Sequence, residues 1–156
     1  ETNNKDIRFY INTNITYAYD ASAKKVKGTY GTATARAHAD TTWTSQDKTD
    51  NLIPEGKDVG DLKAEGLKTI LIREVKEQAQ VELNKTDWYV TRKSEESTAI
   101  PSSITTHRQA VRSKQASMCT AITNAADTAA LKTLYTYTTD SEGVTTRPLG
   151  EIPTID

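Results

Sequence analysis

Scarcity of large apolar side chains constrains this chain more than any motif in it. Ile, Leu, Val and Phe together number 27 among 156 residues, a thin supply for a core. Composition this poor accompanies disorder when net charge is high, but here 20 Lys and Arg face 21 Asp and Glu, for a net charge of −1. The expectation is a small fold that gains further order against a partner. Threonine occurs 26 times, and a β-branched, half-polar side chain suits exposed sheet and contacts between subunits. A chain of 17.2 kDa fits one domain, or one small domain with an appended arm.

Charge is also even along the chain. Residues 1–60 hold eight basic against eight acidic side chains, residues 61–116 ten against eight, and the remainder two against five. No basic stripe is present to draw nucleic acid, no apolar run reaches the length of a spanning helix, and no signal-peptide pattern opens the sequence. Because the chain begins at Glu1 and not at Met, an upstream segment is expected. Cys119 is alone, which rules out an intrachain disulfide and a cysteine metal cluster and suits a reducing compartment of synthesis.

Periodicity divides the chain into a strand-forming front and a helix-forming back. Phe9, Ile11, Ile15, Tyr17 and Tyr19 fall on odd positions, the period of a half-buried strand. Asp20–Lys25 reads as a turn and Val26–Tyr30 as the returning strand, its lysines discouraging edge pairing. Alanines alternate with Thr34, Arg36, His38 and Asp40, predicting a strand with a small-residue face over 31–43, with Trp43 as a packing anchor. Ser45–Gly60 reads as loop and as the boundary.

From Asp61, read as an N-cap, Leu62, Leu67, Ile70, Leu71, Val75, Ala79 and Leu83 recur at threes and fours and predict the first helix. Lys63, Lys68, Arg73, Glu74, Lys76, Glu77 and Glu82 are then left for water or a partner. A second helix starts at Thr86 and Asp87 and runs to about Glu96. Ile100-Pro101-Ser102-Ser103 is a stop and restart. The third helix spans Ser103–Asn124, with Ile104, Val111, Met118 and Ile122 as a narrow seam like that of a coiled coil. Asp127 caps a fourth helix bearing Leu131, Leu134 and Tyr135. Beyond Tyr137 the sequence reads as an extended arm with turn chemistry at Asp140–Gly143.

The stretch Asp87–Lys114 carries the motif content: Asp87-Trp88, Arg92 four residues after the Trp, Ile100-Pro101 a dozen residues after it, and Arg108-x-x-x-Arg112. This pattern resembles the tail-assembly chaperone-like module of tailed-bacteriophage proteins, which often closes a tail-fibre or tail-assembly polypeptide. The resemblance covers about residues 62–137. His107 stands where an aromatic such as Tyr is expected before the first arginine, and the polar N-terminal half has no counterpart. It implies a virion tail location, reached through the host cytoplasm during assembly, and other tail, fibre or baseplate proteins as partners.

Catalytic chemistry has little to work with. Gly60–Thr69 has the look of a phosphate loop but places Lys68 out of register with Gly66. His38 and His107 are far apart in sequence and in no metal-ligand spacing, so neither a metal nor a cofactor is expected. No Gly-x-Ser-x-Gly occurs, and Cys119 beside Met118 reads as a small semi-buried residue. Glu95 and Glu96 are adjacent and point apart on a helix. No enzymatic activity is expected.

Trp, Tyr and Arg dominate energetic anchors at interfaces, which makes Trp88, Tyr89, Arg92, Arg108, Arg112 and Trp43 the candidate contact residues. The competing reading has Trp88 plugging the helical core and Arg92 bonded to carbonyls or to Glu95 and Glu96. The sequence therefore predicts an α+β protein: a β-rich antiparallel segment over 1–60, a helical hairpin or bundle over 61–138, and an extended tail over 139–156. It would act through protein–protein contacts with other phage structural proteins and copies of itself, without nucleic acid or membrane. The alternative is a small carbohydrate- or receptor-binding domain that stacks a sugar on Trp43, Trp88 and the tyrosines.

Overall fold

A computed structural model describes residues 3–155 and shows an α+β fold. The elements in chain order are β1 (Tyr10–Ile11), β2 (Thr16–Asp20), β3 (Lys25–Thr29), β4 (Thr34–Ala35), β5 (Thr41–Thr42), α1 (Ser45–Thr49), β6 (Leu62–Ala64), α2 (Leu67–Asn84), α3 (Asp87–Glu96), α4 (Ser102–Asn124), α5 (Thr128–Tyr135), β7 (Thr138–Thr139) and β8 (Thr145–Thr146). The strands form four separate antiparallel pairs, β1 with β4, β2 with β3, β5 with β6 and β7 with β8. Two compact units result. One comprises the residues up to Leu67 with Ala126–Lys132, and the other Lys68–Ala125 with the residues from Thr133 onward.

In the first unit the expected hairpin forms, with Tyr17 opposite Gly28 and Tyr19 opposite Val26. Asp20 makes its turn by accepting from the Ser22 and Ala23 amides at 3.0 and 2.9 Å, the local bonding that favours Asp at turns. Period two puts Tyr17, Tyr19 and Val26 on one face, and all three stay about two-thirds exposed. The strand expected over 31–43 is reduced to the two-residue β4 and β5. Its backbone bonds elsewhere instead: the Arg36 amide donates to Phe9 O, the Leu67 amide to Ala37 O, and the Thr128 hydroxyl to Arg36 O. Phe9, Leu67 and Leu131 are the buried apolar residues of this unit.

Two expectations for this unit are corrected. Ser45–Gly60 is not all loop, because Thr44 and Asp47 form a reciprocal capping box that starts α1. Asp61 does not cap a helix at Leu62. Leu62–Ala64 pairs as β6 with β5, Asp61 accepts instead from the Asp58 amide, and the helix waits until Leu67. Gly66 explains the delay: its amide donates to Asp40 at 2.7 Å, and it abuts the Ala39 backbone so closely that a Cβ would overlap it.

The second unit is built on α2 and α4. Leu71, Val75, Ala79 and Leu83 line one side of α2 at helical spacing, and Ile104, Val111, Met118 and Ile122 line α4. Ala79, Leu83 and Val111 pack together, and Ile152 from the C-terminal segment lies against them. The extended arm expected after Tyr137 is thus more structured than its composition suggests. Asp140 accepts from the Glu142 and Val144 amides to turn β7 into β8, Leu149 is buried, and the Ile155 amide donates to Glu82 at 2.7 Å.

Even so, the fold covers little. The chain exposes 10451 Å², whereas two separate compact units each of half its mass would expose about 9,400 Å² together. Sparse apolar content is the cause: thirteen residues of the described chain form its buried apolar set, and many others, Tyr17, Tyr19, Val81 and Trp88 among them, face water.

Candidate interaction site at the α2–α3 junction

The chain between α2 and α3 turns within two residues, Lys85 and Thr86. Thr86 is the N-cap residue of α3, as expected, but its side chain makes no cap bond. It is buried, and its hydroxyl donates to Leu83 O at 3.0 Å while accepting from Arg108 Nη1 at 2.7 Å. Arg108 Nη1 also donates to Leu83 O at 2.8 Å and pairs with Asp87 Oδ1 at 2.8 Å. One guanidinium from α4 therefore binds both the buried carbonyl end of α2 and the acidic first residue of α3. A helix C-terminus favours a cation and an N-terminus an anion, so both dipoles agree with this arrangement.

Glu82, one turn before the junction, forms a second hub. Sequence periodicity leaves it for water or a partner, but it is only 5% exposed. Lys85 Nζ lies 2.6 Å from it, His107 Nε2 3.3 Å, and the Ile155 amide 2.7 Å. The Lys85 bond holds the Glu82 carboxyl below its ordinary pKa, with the Ile155 amide and the charges of Lys85 and His107 acting in the same direction against the cost of burial. His107, expected at the surface, instead turns inward with its side chain 11% exposed. Nothing in the sequence separates Glu82 from Glu74 and Glu77 except its place beside Lys85 and opposite His107, which only the helix pairing reveals.

The expected contact residues part company here. Arg108 is spent inside the fold. Arg112, one turn on, is exposed and forms no bond among the described residues. Trp88 does not plug a core, being 51% exposed. Its ring lies against Tyr89 at 3.9 Å between centroids. The Arg92 guanidinium stacks over both rings, at 4.7 Å from Trp88 and 5.4 Å from Tyr89. It does not reach Glu95 or Glu96. Trp43 belongs to the other unit, where Lys63 lies 4.6 Å over its ring and also grips Asp47 at 2.6 Å. That grip, with the bonds from Thr44, lowers the Asp47 pKa to about 2.

A cleft of about 470 Å³ in the second unit is lined by Glu74, Glu77, Val81, Glu82 and Ile152 among others, without an aromatic side chain. Among the described residues no group of His, Cys, Asp and Glu is placed to hold a metal ion, and no helix is long and apolar enough to cross a membrane. Cys119 is a free, half-buried thiol. Compared with known proteins, the chain matches no family model, no curated protein and no solved structure.

Proposed function

We propose that the chain is a non-enzymatic tail-related protein of a tailed bacteriophage, either a virion structural component or a tail-assembly factor, acting through contacts with tail, fibre or baseplate proteins and with copies of itself. The observation that carries the contact role is α3. It buries none of its residues, yet it displays the half-exposed Trp88 with Arg92 stacked over it, the side-chain types that anchor interfaces. The tail assignment rests on the Asp87-Trp88, Arg92, Ile100-Pro101 and Arg108-x-x-x-Arg112 pattern. The arrangement of these residues adds a division of labour: Arg108 builds the junction that projects α3, and Trp88, Tyr89 and Arg92 meet the partner.

The test is affinity capture of tagged chain from infected cells, followed by mass spectrometry. Tail, fibre or baseplate proteins are expected with the wild type and are lost with Trp88→Ala. Recovery of no tail protein by the folded wild-type chain sinks the assignment. Mass spectrometry of purified particles then separates a resident component from an assembly factor that departs.

A further inference from the structure

α3 poses a problem that contacts within the chain leave open. It is ten residues long with none of them buried, and a helix that short is marginal in water on backbone bonds alone. Its first residue is tied down by the ion pair of Asp87 with Arg108, and Tyr89 and Arg92 are half-buried. Trp88, Arg92 and Glu95 follow one another at four and three residues and so share a face. Arg92 Nε is covered by the chain's own atoms and has no acceptor, which leaves the terminal guanidinium nitrogens as the part that can meet a partner. Glu95 and Glu96, at the spacings where they could pair with Arg92 in the same helix, are exposed and form no ion pair among the described residues. A guanidinium stacked on Trp88 and Tyr89 but without a carboxylate partner, and carboxylates without a paired cation among the described residues, thus lie along one helix face beside a half-exposed indole.

We propose that this face docks the α3 of a second copy of the chain, antiparallel across a two-fold axis; the proposal rests on the reading of α3 as a contact surface. Charge order selects the occupant. With the axis between Lys93 and Ser94, Arg92 meets Glu95 of the second copy and Thr91 meets Glu96, while Trp88 falls past the partner helix, which ends at Glu96 with Ser97 in the left-handed region. A parallel pair would set Arg92 against Arg92 and Glu95 against Glu95, like charge on like. A two-fold contact repeats every pairing, so two Arg92–Glu95 pairs flank the axis. The face of one short helix is smaller than the roughly 800 Å² per partner of a standard interface, so the association is weak and depends on concentration.

Sedimentation equilibrium of the whole chain over a concentration series tests this, with circular dichroism confirming that each variant keeps its helices. The expected result is a reversible dimer that Arg92→Glu and Glu95→Arg each weaken by about tenfold or more. Combining the two reversals restores the affinity toward wild type, because the same pair is rebuilt with its signs exchanged. A chain that stays monomeric at every concentration overturns the proposal. So does a dimer indifferent to both reversals, or one that the double variant fails to restore. The underlying contact reading fails separately: a monomeric chain that still captures a tail protein through Trp88 keeps that reading and removes only the self-docking.

Discussion

Arg108 Nη1 lies 2.8 Å from the Leu83 carbonyl oxygen and 2.7 Å from the Thr86 hydroxyl, joining α4 to the end of α2 through a residue that is 9% exposed. Removing it leaves the buried Thr86 hydroxyl without its donor and Asp87 without its cation, while the Leu83 carbonyl keeps its bonds from the Thr86 amide and hydroxyl. Arg108→Met is expected to cost about 2–3 kcal/mol in urea unfolding. Arg112→Ala, which removes an exposed side chain that forms no bond among the described residues, should stay within about 0.5 kcal/mol. Arg108→Lys should recover only part of the loss, since its shorter side chain must reach the three acceptors that Arg108 Nη1 serves.

Glu82 makes stability depend on acid. Its carboxyl is held below the ordinary value of 4.5, chiefly by Lys85. A depressed folded-state value contributes stability that is fully present above the unfolded value and is lost as pH falls through the folded one. Urea midpoints should therefore drop below about pH 4.5, and Glu82→Gln should flatten that part of the curve. The Ile155 amide, which donates to this carboxylate, should exchange faster with solvent in the same range. A profile unchanged by Glu82→Gln would dismiss the hub.

Gly66 has a packing reason to be glycine. Any Cβ would overlap the Ala39 backbone, which is held in place while Asp40 accepts from the Gly66 amide. Gly66→Ala must part β6 from the Ala39–Asp40 backbone and is expected to cost about 3 kcal/mol. Gly56→Ala meets open space but sits at φ 81°, so its smaller cost, about 1 kcal/mol, is backbone strain alone. Thermal melts of the two variants distinguish overlap from strain.

The C-terminal segment should prove part of the fold. Leu149 is 3% exposed and its amide donates to Leu134 O at 3.0 Å. Leu149→Ala is expected to cost about 2–3 kcal/mol. The exposed Val144, 51% accessible in the neighbouring hairpin, should tolerate alanine within about 0.5 kcal/mol. Equal effects at the two positions would mean that the segment does not pack.

Much of the local architecture was legible from residue order. Alternating Tyr17 and Tyr19 with a turn at Asp20 specified a hairpin, and apolar residues at threes and fours from Leu67 to Leu83 specified α2, because each pattern matches one backbone period. Asp127 announced the start of α5, and its side chain does accept from the Ala130 amide. These are short-range relations, complete within a few residues of chain.

The misses share one cause. Leu62 continues the α2 periodicity yet lies in a strand, because Gly66 must press against Ala39, a neighbour far away in sequence. Glu82 and His107 looked like solvent residues until α2 and α4 brought them together. Arg108 and Arg112 are equivalent as a spaced pair, and only the position of the Leu83 carbonyl separates an internal brace from an exposed side chain. Trp88 was balanced between core and contact, and the fold leaves it half in water. Residue order carries the periods, the turns and the shortage of apolar side chains. Tertiary structure alone decided which polar groups that shortage would bury, since burying a charge requires partners that lie near one another only once the chain has folded.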